Sequence, residues 1–503
     1  MRSLCWKHSL LALLALTLAT CDSGNSSRSA PTLPGGGAVA PQVDTLNPTP
    51  NNPDVPVGAD INATFDQTMN AANGSTFPVE GFLSSKLTGT YRGAGTDTLT
   101  FDPGSDFKPG EEVEVTLTTG LTSTGGASLD APFVYRFRAA VAGGNATFVS
   151  IGTPLVDGNP SSITSSDLDG DGDVDLAVAN SSTLDVSVLL NELDEPSGAF
   201  VGALGSPFSV DGEPSAITSG DLDGDGDSDL AVANASTLNV TVLLNELDEP
   251  SGVFSEASGS PVGVDGIPSS ITSGDLDGDG DLDLAVANAS TLDVTVLLNN
   301  GAGTFSGVSG SPFSVDGEPS SITSGDLDGD GDLDLAVANA STLDVTVLLN
   351  NGSASFSGAS GSPFNVDGIP SSITLGDLDG DGDLDLAVAN ASTLDVTILL
   401  NDGSSDFVSA LGSPFNVAGE PSSITSGDLD GDGDLDLAAA NASTLDVTVL
   451  LNDGSADFVA GGSFNVAGEP SSITSADLDG DGNLDLAVAN ASTLDVSVLS
   501  NGP

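Results

Sequence analysis

The nine residues Asp326-Leu327-Asp328-Gly329-Asp330-Gly331-Asp332-Leu333-Asp334 place a carboxylate at every second position and glycine at two of the positions between. Alternation of this kind lets one tight loop turn several oxygens inward around a hard cation, at about 2.3–2.6 Å. Gly331 stands at the sixth position, where the sharp turn calls for a residue without a Cβ. The string Asp-Leu-Asp-Gly-Asp-Gly begins at Asp167, Asp221, Asp275, Asp326, Asp377, Asp428 and Asp477, at intervals of 54, 54, 51, 51, 51 and 49 residues. Repetition at about this period is the mark of an array, so the repeat is the unit to be folded.

Around the fourth loop the unit holds four apolar runs. Pro319 to Thr323 leads in, Leu335-Ala336-Val337-Ala338 and Val345-Thr346-Val347-Leu348-Leu349 follow, and after a turn at Asn351-Gly352 the last run opens at Phe356. Runs of four to six residues rich in Val and Leu, bounded by Gly, Asn and Asp, read as strands. Four antiparallel strands in about 50 residues make one propeller blade. A single blade cannot bury both faces, so the blades must stack around an axis and close. The fold class expected is all-β, a seven-bladed propeller preceded by a small sandwich. After its last third-strand run the chain reaches only Asn501-Gly502-Pro503, whereas Thr147-Phe148-Val149-Ser150-Ile151 precedes the first loop. That segment is expected to pair with residues 494–499 and complete the seventh blade. The longer stretches 191–198 and 245–252, where the third repeat has Asn299-Asn300-Gly301-Ala302-Gly303, map to hairpin loops and are candidate contact surfaces.

The ligand set follows loop by loop. In the first loop Asp167, Asp169 and Asp171 would donate side-chain oxygens, Asp173 its backbone carbonyl, and Asp175 would close the site directly or through water. The equivalents are Asp221, Asp223, Asp225, Asp227 and Asp229 in the second loop, and Asp275, Asp277, Asp279, Asp281 and Asp283 in the third. The fourth has Asp326, Asp328, Asp330, Asp332 and Asp334, and the fifth Asp377, Asp379, Asp381, Asp383 and Asp385. The sixth has Asp428, Asp430, Asp432, Asp434 and Asp436, and the seventh Asp477, Asp479, Asp481, Asn483 and Asp485. Asn483 would bind through its carbonyl alone, so that site should survive. Calcium is expected over magnesium, which demands near-octahedral geometry, and no His or Cys is at hand for zinc or copper. One ion per blade gives about seven Ca²⁺. Extracellular sites with dissociation constants of about 10⁻⁴–10⁻³ M each add about 1.4 kcal/mol at tenfold excess calcium, so seven together add roughly 10 kcal/mol. Calcium is thus expected to be mainly structural.

The loop resembles an EF-hand loop for nine positions and then departs: the twelfth position of the first loop is Val178, and strand-like runs flank it. From about residue 145 to the end the repeats resemble the FG-GAP/VCBS type, similar to the blades of the integrin α-subunit head. That resemblance implies a seven-bladed propeller with calcium loops joining neighbouring strands of each blade. The chain lacks clear Phe-Gly and Gly-Ala-Pro cassettes and carries the loop in every blade, so integrin ligand specificity is not carried over. Residues 41–140 read as a separate β-sandwich, with alternating runs such as Asp60 to Phe65, Thr98 to Phe101 and Glu112 to Leu117. With its Pro-rich start, Phe101-Asp102-Pro103 and Phe107-Lys108-Pro109-Gly110, this segment resembles bacterial Ig-like domains, which implies a spacer or stalk.

Residues 1–20 read as an export signal, with Arg2, Lys7 and His8 ahead of an apolar stretch too short to span a bilayer. Leu18-Ala19-Thr20-Cys21 resembles a lipobox, which implies lipidation of Cys21, and residues 21–40 read as a flexible tether. The protein is expected to be exported, and lipid-anchored to a bacterial cell envelope or surface, or otherwise secreted.

The net charge is −65, and from Gly143 to Pro503 there is no Lys, Arg or His. Such a surface repels nucleic acid and anionic lipid, leaving the N-terminal lipid as the only membrane contact. Triads based on His, Schiff-base lysines and Arg clamps are missing from the propeller. The Asn-Ala-Ser triplets at Asn234, Asn288 and Asn339 read as hairpin turns rather than glycan acceptors. The reading is a surface binding or adhesion module for a protein or glycan. A calcium-assisted polysaccharide lyase or hydrolase, or a purely structural envelope protein, are the alternatives.

Overall fold

A computed structural model describes residues 39–192, 199–245 and 252–502. The export signal, Cys21, all but the last two residues of the tether, and most of the stretches 191–198 and 245–252 lie outside the described residues. Every regular element among the described residues is a β-strand.

Residues 43–138 form two four-stranded antiparallel sheets. One runs in the order Val43–Asn47, Ile61–Phe65, Thr98–Pro103, Gly89–Arg92; the other Ser85–Lys86, Val79–Gly81, Glu112–Leu117, Phe133–Arg138. In Ile61–Phe65 the burial alternates strictly, so Ile61, Ala63 and Phe65 point into a core shared with Phe77, Phe101, Val115 and Phe137.

From Phe148 onward seven antiparallel sheets succeed one another. In the fourth blade Pro319–Gly325 pairs with Asp334–Asn339, and this with Asp344–Leu349. The second strand reads Asp-Leu-Ala-Val-Ala-Asn and is fully buried on both faces, because a blade lies on each side of it. Its Leu335 and Val337 pack on Ala285, Ala287, Val294 and Val296 of the preceding blade. Its Ala336 and Ala338 receive Leu386 and Val388 of the next. Large side chains thus meet small ones at these seams, which lets the sheets interdigitate; in the sixth blade Ala439 takes the place of the second large residue.

The seventh sheet is closed by the displaced strand as expected, although the pairing falls on Val498 to Asn501 and so lies further along than residues 494–499. Phe148–Gly152 pairs antiparallel with Asp495–Asn501, with Ser150 opposite Leu499 and Asn501 opposite Phe148. The first blade then meets the last, Leu176 and Val178 packing on Ala487, Ala489, Val496 and Val498. The outermost strand differs from the single run that Phe356 was expected to open. In the fourth blade it consists of two short pieces, Ser357–Gly358 and Phe364–Asn365. The sixth blade, two residues shorter here, has one strand, Val459–Asn465, with a bulge. The shortest repeat interval therefore arises in an edge strand and not in a turn; an edge tolerates the change because nothing packs outside it.

The sandwich does not stand apart as a stalk. It belongs to one compact unit with the propeller and sits on the end formed by the Asp-rich loops. Asp167 N–H donates to Leu83 O at 2.9 Å, Val134 N–H to Gly331 O at 2.6 Å and Ala142 N–H to Gly482 O at 2.7 Å. Asn51 Nδ2 donates to Gly382 O at 3.0 Å, and the Ser85 and Ser228 hydroxyls bond to each other. Thr116 Oγ1 donates to Asp275 Oδ2 at 2.7 Å, and Ala146 N–H to Leu429 O at 3.2 Å. The first five loops are touched by the sandwich itself, and the sixth and seventh by Ala146 and Ala142 of the segment that joins it to the propeller. The domain also brings cations that the propeller's own sequence lacks. Arg136 pairs with Glu114 at 2.8 Å and Glu112 at 3.1 Å and donates to the carbonyls of Ser273 and Ser324, while Arg138 donates to Ser426 O. Arg138, Glu112, Phe82 and Leu83 close one end of a 220 Å³ axial cavity walled by Ser and Thr of the innermost strands.

Candidate metal centres

Each loop is held in shape by its own first carboxylate. Asp326 Oδ1 accepts Gly329 N–H at 2.8 Å and Oδ2 accepts Gly331 N–H at 3.0 Å. Both glycines have positive φ, 77° and 91°, a conformation that a Cβ would oppose. The last carboxylate ties the loop to the blade: Asp334 Oδ2 accepts Leu327 N–H at 2.9 Å and Oδ1 accepts Asn350 N–H at 2.8 Å.

These turns gather oxygens. In the first, fourth and fifth loops one oxygen from each of the first, third and ninth residues lies within 4.8 Å of the others, as in Asp167, Asp169 and Asp175. In the second and third loops the trio is the first, third and fifth residues, Asp221, Asp223, Asp225 and Asp275, Asp277, Asp279. The seventh-position side chains lie elsewhere: a Cβ on Gly352 would meet Asp332 Oδ1 at 2.6 Å, and Gly301, Gly403 and Gly454 stand likewise against Asp281, Asp383 and Asp434. In these four loops the seventh residue is left with its carbonyl facing the site's turn, which accounts for glycine in the turn beyond the third strand. Asn483 replaces Asp at this place, its Nδ2 donating to Asn501 O at 3.5 Å.

The electrostatics call for a positive charge. Burial, and after it the neighbouring loop carboxylates, push Asp175, Asp229, Asp334 and Asp385 up to about 8, against the backbone N–H groups that favour their ionised forms. Asp275 and Asp283 are raised well above the usual carboxylate range for the same first reason. Asp277 Oδ1, Asp328 Oδ1 and Asp430 Oδ1, all third-position atoms, are buried with no hydrogen-bond donor. A buried acceptor without a donor is costly, and a cation satisfies it. The donor set, all oxygen and anionic, fits a hard divalent ion and not a soft one.

A second ring of residues escaped the sequence reading. The Asn that ends each third strand donates its Nδ2 to a loop carbonyl of the preceding blade: Asn245 to Leu168, Asn299 to Leu222, Asn350 to Leu276, Asn401 to Leu327, Asn452 to Leu378 and Asn501 to Leu429, at 2.7–2.9 Å. Asn191 reaches Leu478 at 2.9 Å and closes the circle. Its signal was the recurrence of Leu-Asn or Ser-Asn at the end of a buried strand. The Asn of the Asn-Ala-Ser triplets is also structural: Asn339 has no exposed surface and donates to Asp344 and Thr346, both at 2.8 Å, which leaves no room for a glycan. The turn it begins places Leu343 at φ 60°, and Leu184, Leu238, Leu292, Leu394, Leu445 and Leu494 repeat that conformation. All seven leucines are 37–43 % exposed on the end opposite the Asp loops.

The FG-GAP-like repeat matches residues 167–232, 221–286, 275–337, 330–388, 377–439 and 428–488, and the bacterial Ig-like domain matches residues 37–139. Neither is a catalytic family. No curated protein matches the chain. Among solved structures, Kuenenia stuttgartiensis hydrazine synthase is similar at 18 % identity, covering 70 % of this chain and 97 % of its own, with a TM-score of 0.46. An Agrocybe aegerita lectin recognising non-reducing terminal N-acetylglucosamine is similar at 16 % identity, with 85 % and 100 % coverage and a TM-score of 0.39. A Lactobacillus plantarum protein is similar at 14 % identity, with 79 % and 98 % coverage and a TM-score of 0.43. The six repeat matches together run through well over half of the chain, which belongs to the FG-GAP-like repeat family and carries a bacterial Ig-like domain ahead of its propeller.

Proposed function

We propose that this is an exported, lipid-anchored protein whose propeller binds about seven calcium ions, one per Asp loop, and acts at the cell surface as a binding module for a protein or glycan. The observation that carries the calcium reading is the set of buried third-position oxygens without donors, those of Asp277 and Asp328 lying inside trios of converging carboxylates. The ligands would be the first, third and fifth side chains, the seventh carbonyl and the ninth side chain of each loop, from Asp167 to Asp485, with calcium supplying charge neutralisation and cross-linking. Arg136 and Arg138, the cations nearest the axis, are both engaged in ion pairs and carbonyl bonds, which speaks against a catalytic part for them.

The partner would meet the end opposite the Asp loops, because the loop end is covered by the chain's own Ig-like domain. There the seven exposed leucines lie in strained left-handed turns, a conformation that costs about 1–2 kcal/mol per residue and is found where function requires it. Glycan-array and pull-down binding, with and without calcium, tests the reading. Calcium-dependent capture that is lost when three adjacent turn leucines are changed to serine supports it. Release of unsaturated sugars from a polysaccharide would replace it with a lyase.

A further inference from the structure

From Pro160–Ser166 to Pro470–Ala476 the innermost strands keep Ile buried at the fourth place and Thr half-buried at the fifth. In six of the seven seams the hydroxyl of this Thr meets the Ser hydroxyl of the next blade at 3.0–3.3 Å, as between Thr425 and Ser475. The remaining seam has Leu375 in place of the Ser. Two hydroxyls that bond to each other use one hydrogen between them, so each pair keeps a second O–H and several lone pairs for the space it faces. Four of these pairs line the 220 Å³ axial cavity. Its wall therefore donates and accepts on every side that the pairs occupy.

The Ig-like domain supplies the floor. There Arg138 pairs with Glu112 at 3.2 Å and donates to Ser426 O at 3.0 Å, so neither charge stands alone. Phe82, whose ring carries the Arg136 guanidinium at 4.8 Å, adds an apolar surface beside them. A cavity of about 150 Å³ takes a benzene and drug-sized pockets begin near about 300 Å³, so 220 Å³ suits a single ring of sugar size. At the far end of the axis the innermost strands begin just after Glu213, Glu318, Glu420 and Glu469, all exposed, and that mouth repels anions. We propose that the axial cavity binds one neutral polyhydroxyl molecule of single-sugar size, free or as the end unit of a glycan, entering from the far end because the Ig-like domain closes the near one. Hydroxyls of such a molecule both give and take hydrogen bonds, which the wall matches, and its C–H face has Phe82 to rest on. The site is distinct from the turn leucines and involves none of the Asp-loop carboxylates.

The experiment uses the full chain in saturating calcium, with Cys21→Ser to prevent lipidation and threonine methyl groups labelled for NMR. D-glucose, D-galactose, D-mannose and myo-inositol are titrated, with D-glucuronate and D-glucosamine as charged counterparts. The methyl signals of Thr425 and Thr474 should shift saturably with at least one neutral compound, which binds tenfold or more tighter than the charged ones. A trisaccharide ending in that sugar distinguishes a glycan end from the free molecule. Thr425→Val and Thr474→Val keep the shape and remove one hydroxyl each, and by saturation-transfer NMR each should weaken binding about five- to tenfold. Should either variant fail to fold, the methyl titration of the parent chain decides. No saturable shift with any neutral compound, water alone filling the space, overturns the proposal. So does sugar binding that leaves the axial threonines unmoved, or glucuronate binding as tightly as the neutral sugars. Capture of a partner by the turn leucines would stand in either case.

Discussion

Replacement of Asn350 by alanine isolates one seam of the ring without touching a carboxylate. The side chain is 6 % exposed and makes three hydrogen bonds: Nδ2 to Leu276 O at 2.8 Å in the third blade's loop, Nδ2 to Leu333 O at 3.0 Å in its own, and Oδ1 from Asn351 N–H at 2.8 Å. Leu276 O keeps a bond from Ala354 N–H at 3.1 Å, so there the loss is one net bond and not an orphaned acceptor. At about 1 kcal/mol for each bond, Asn350→Ala should cost about 3 kcal/mol. Asn350→Asp keeps the shape but turns carboxylate oxygen toward two carbonyls, and should cost more. Asn351→Ala, at an exposed neighbour, should stay within about 0.5 kcal/mol of the parent. Urea unfolding at fixed, saturating calcium reads all three. An Asn350→Ala protein as stable as the Asn351→Ala control would refute the claim that these amides tie blade to blade.

Further outcomes follow from other features. In chelator the stability should fall as pH rises. Asp175, Asp229, Asp334 and Asp385 bind protons up to about 8 in the folded chain, and Asp436 and Asp485 up to about 7, but all only to about 4 when unfolded, so between those values the native state holds more protons. Each such carboxyl then costs up to about 1.4 kcal/mol per pH unit, and melting at pH 5 should exceed melting at pH 8; saturating calcium should abolish that trend. A disulfide from Val149→Cys and Ser500→Cys, which face each other across the closing pair, should stabilise by about 2–4 kcal/mol, read as a rise in the urea midpoint that reduction removes. Leu343→Asn should stabilise by about 1 kcal/mol, because asparagine accepts the φ of 60° that leucine resists; a loss of stability would show that the leucine is packed.

What was legible in the sequence was whatever repeats locally. The seven Asp loops, the three buried strands beside each, and the displaced strand at Phe148 all follow from spacing and alternation, and the described sheets have that order. The broken outer strand was not legible, because an edge without a neighbour imposes no pattern on its residues. The Asn191 to Asn501 ring was visible as a recurring letter, but its partners lie one blade away and only closure of the ring brings them together. The seat of the Ig-like domain was hidden most deeply. Thr116, Glu114 and Arg136 read as ordinary alternating residues of a strand pair, and their meaning depends on loops more than 130 residues further on.

The central claim, that the Asp loops are cages closed on divalent ions which hold the ring of sheets together, is tested most directly by thermal melting of the full chain in calcium, in magnesium and in chelator. Seven sites contributing roughly 10 kcal/mol together should raise the midpoint by about 10 °C for a chain of this size, with magnesium giving much less. Superimposable melting curves in calcium and chelator would contradict it.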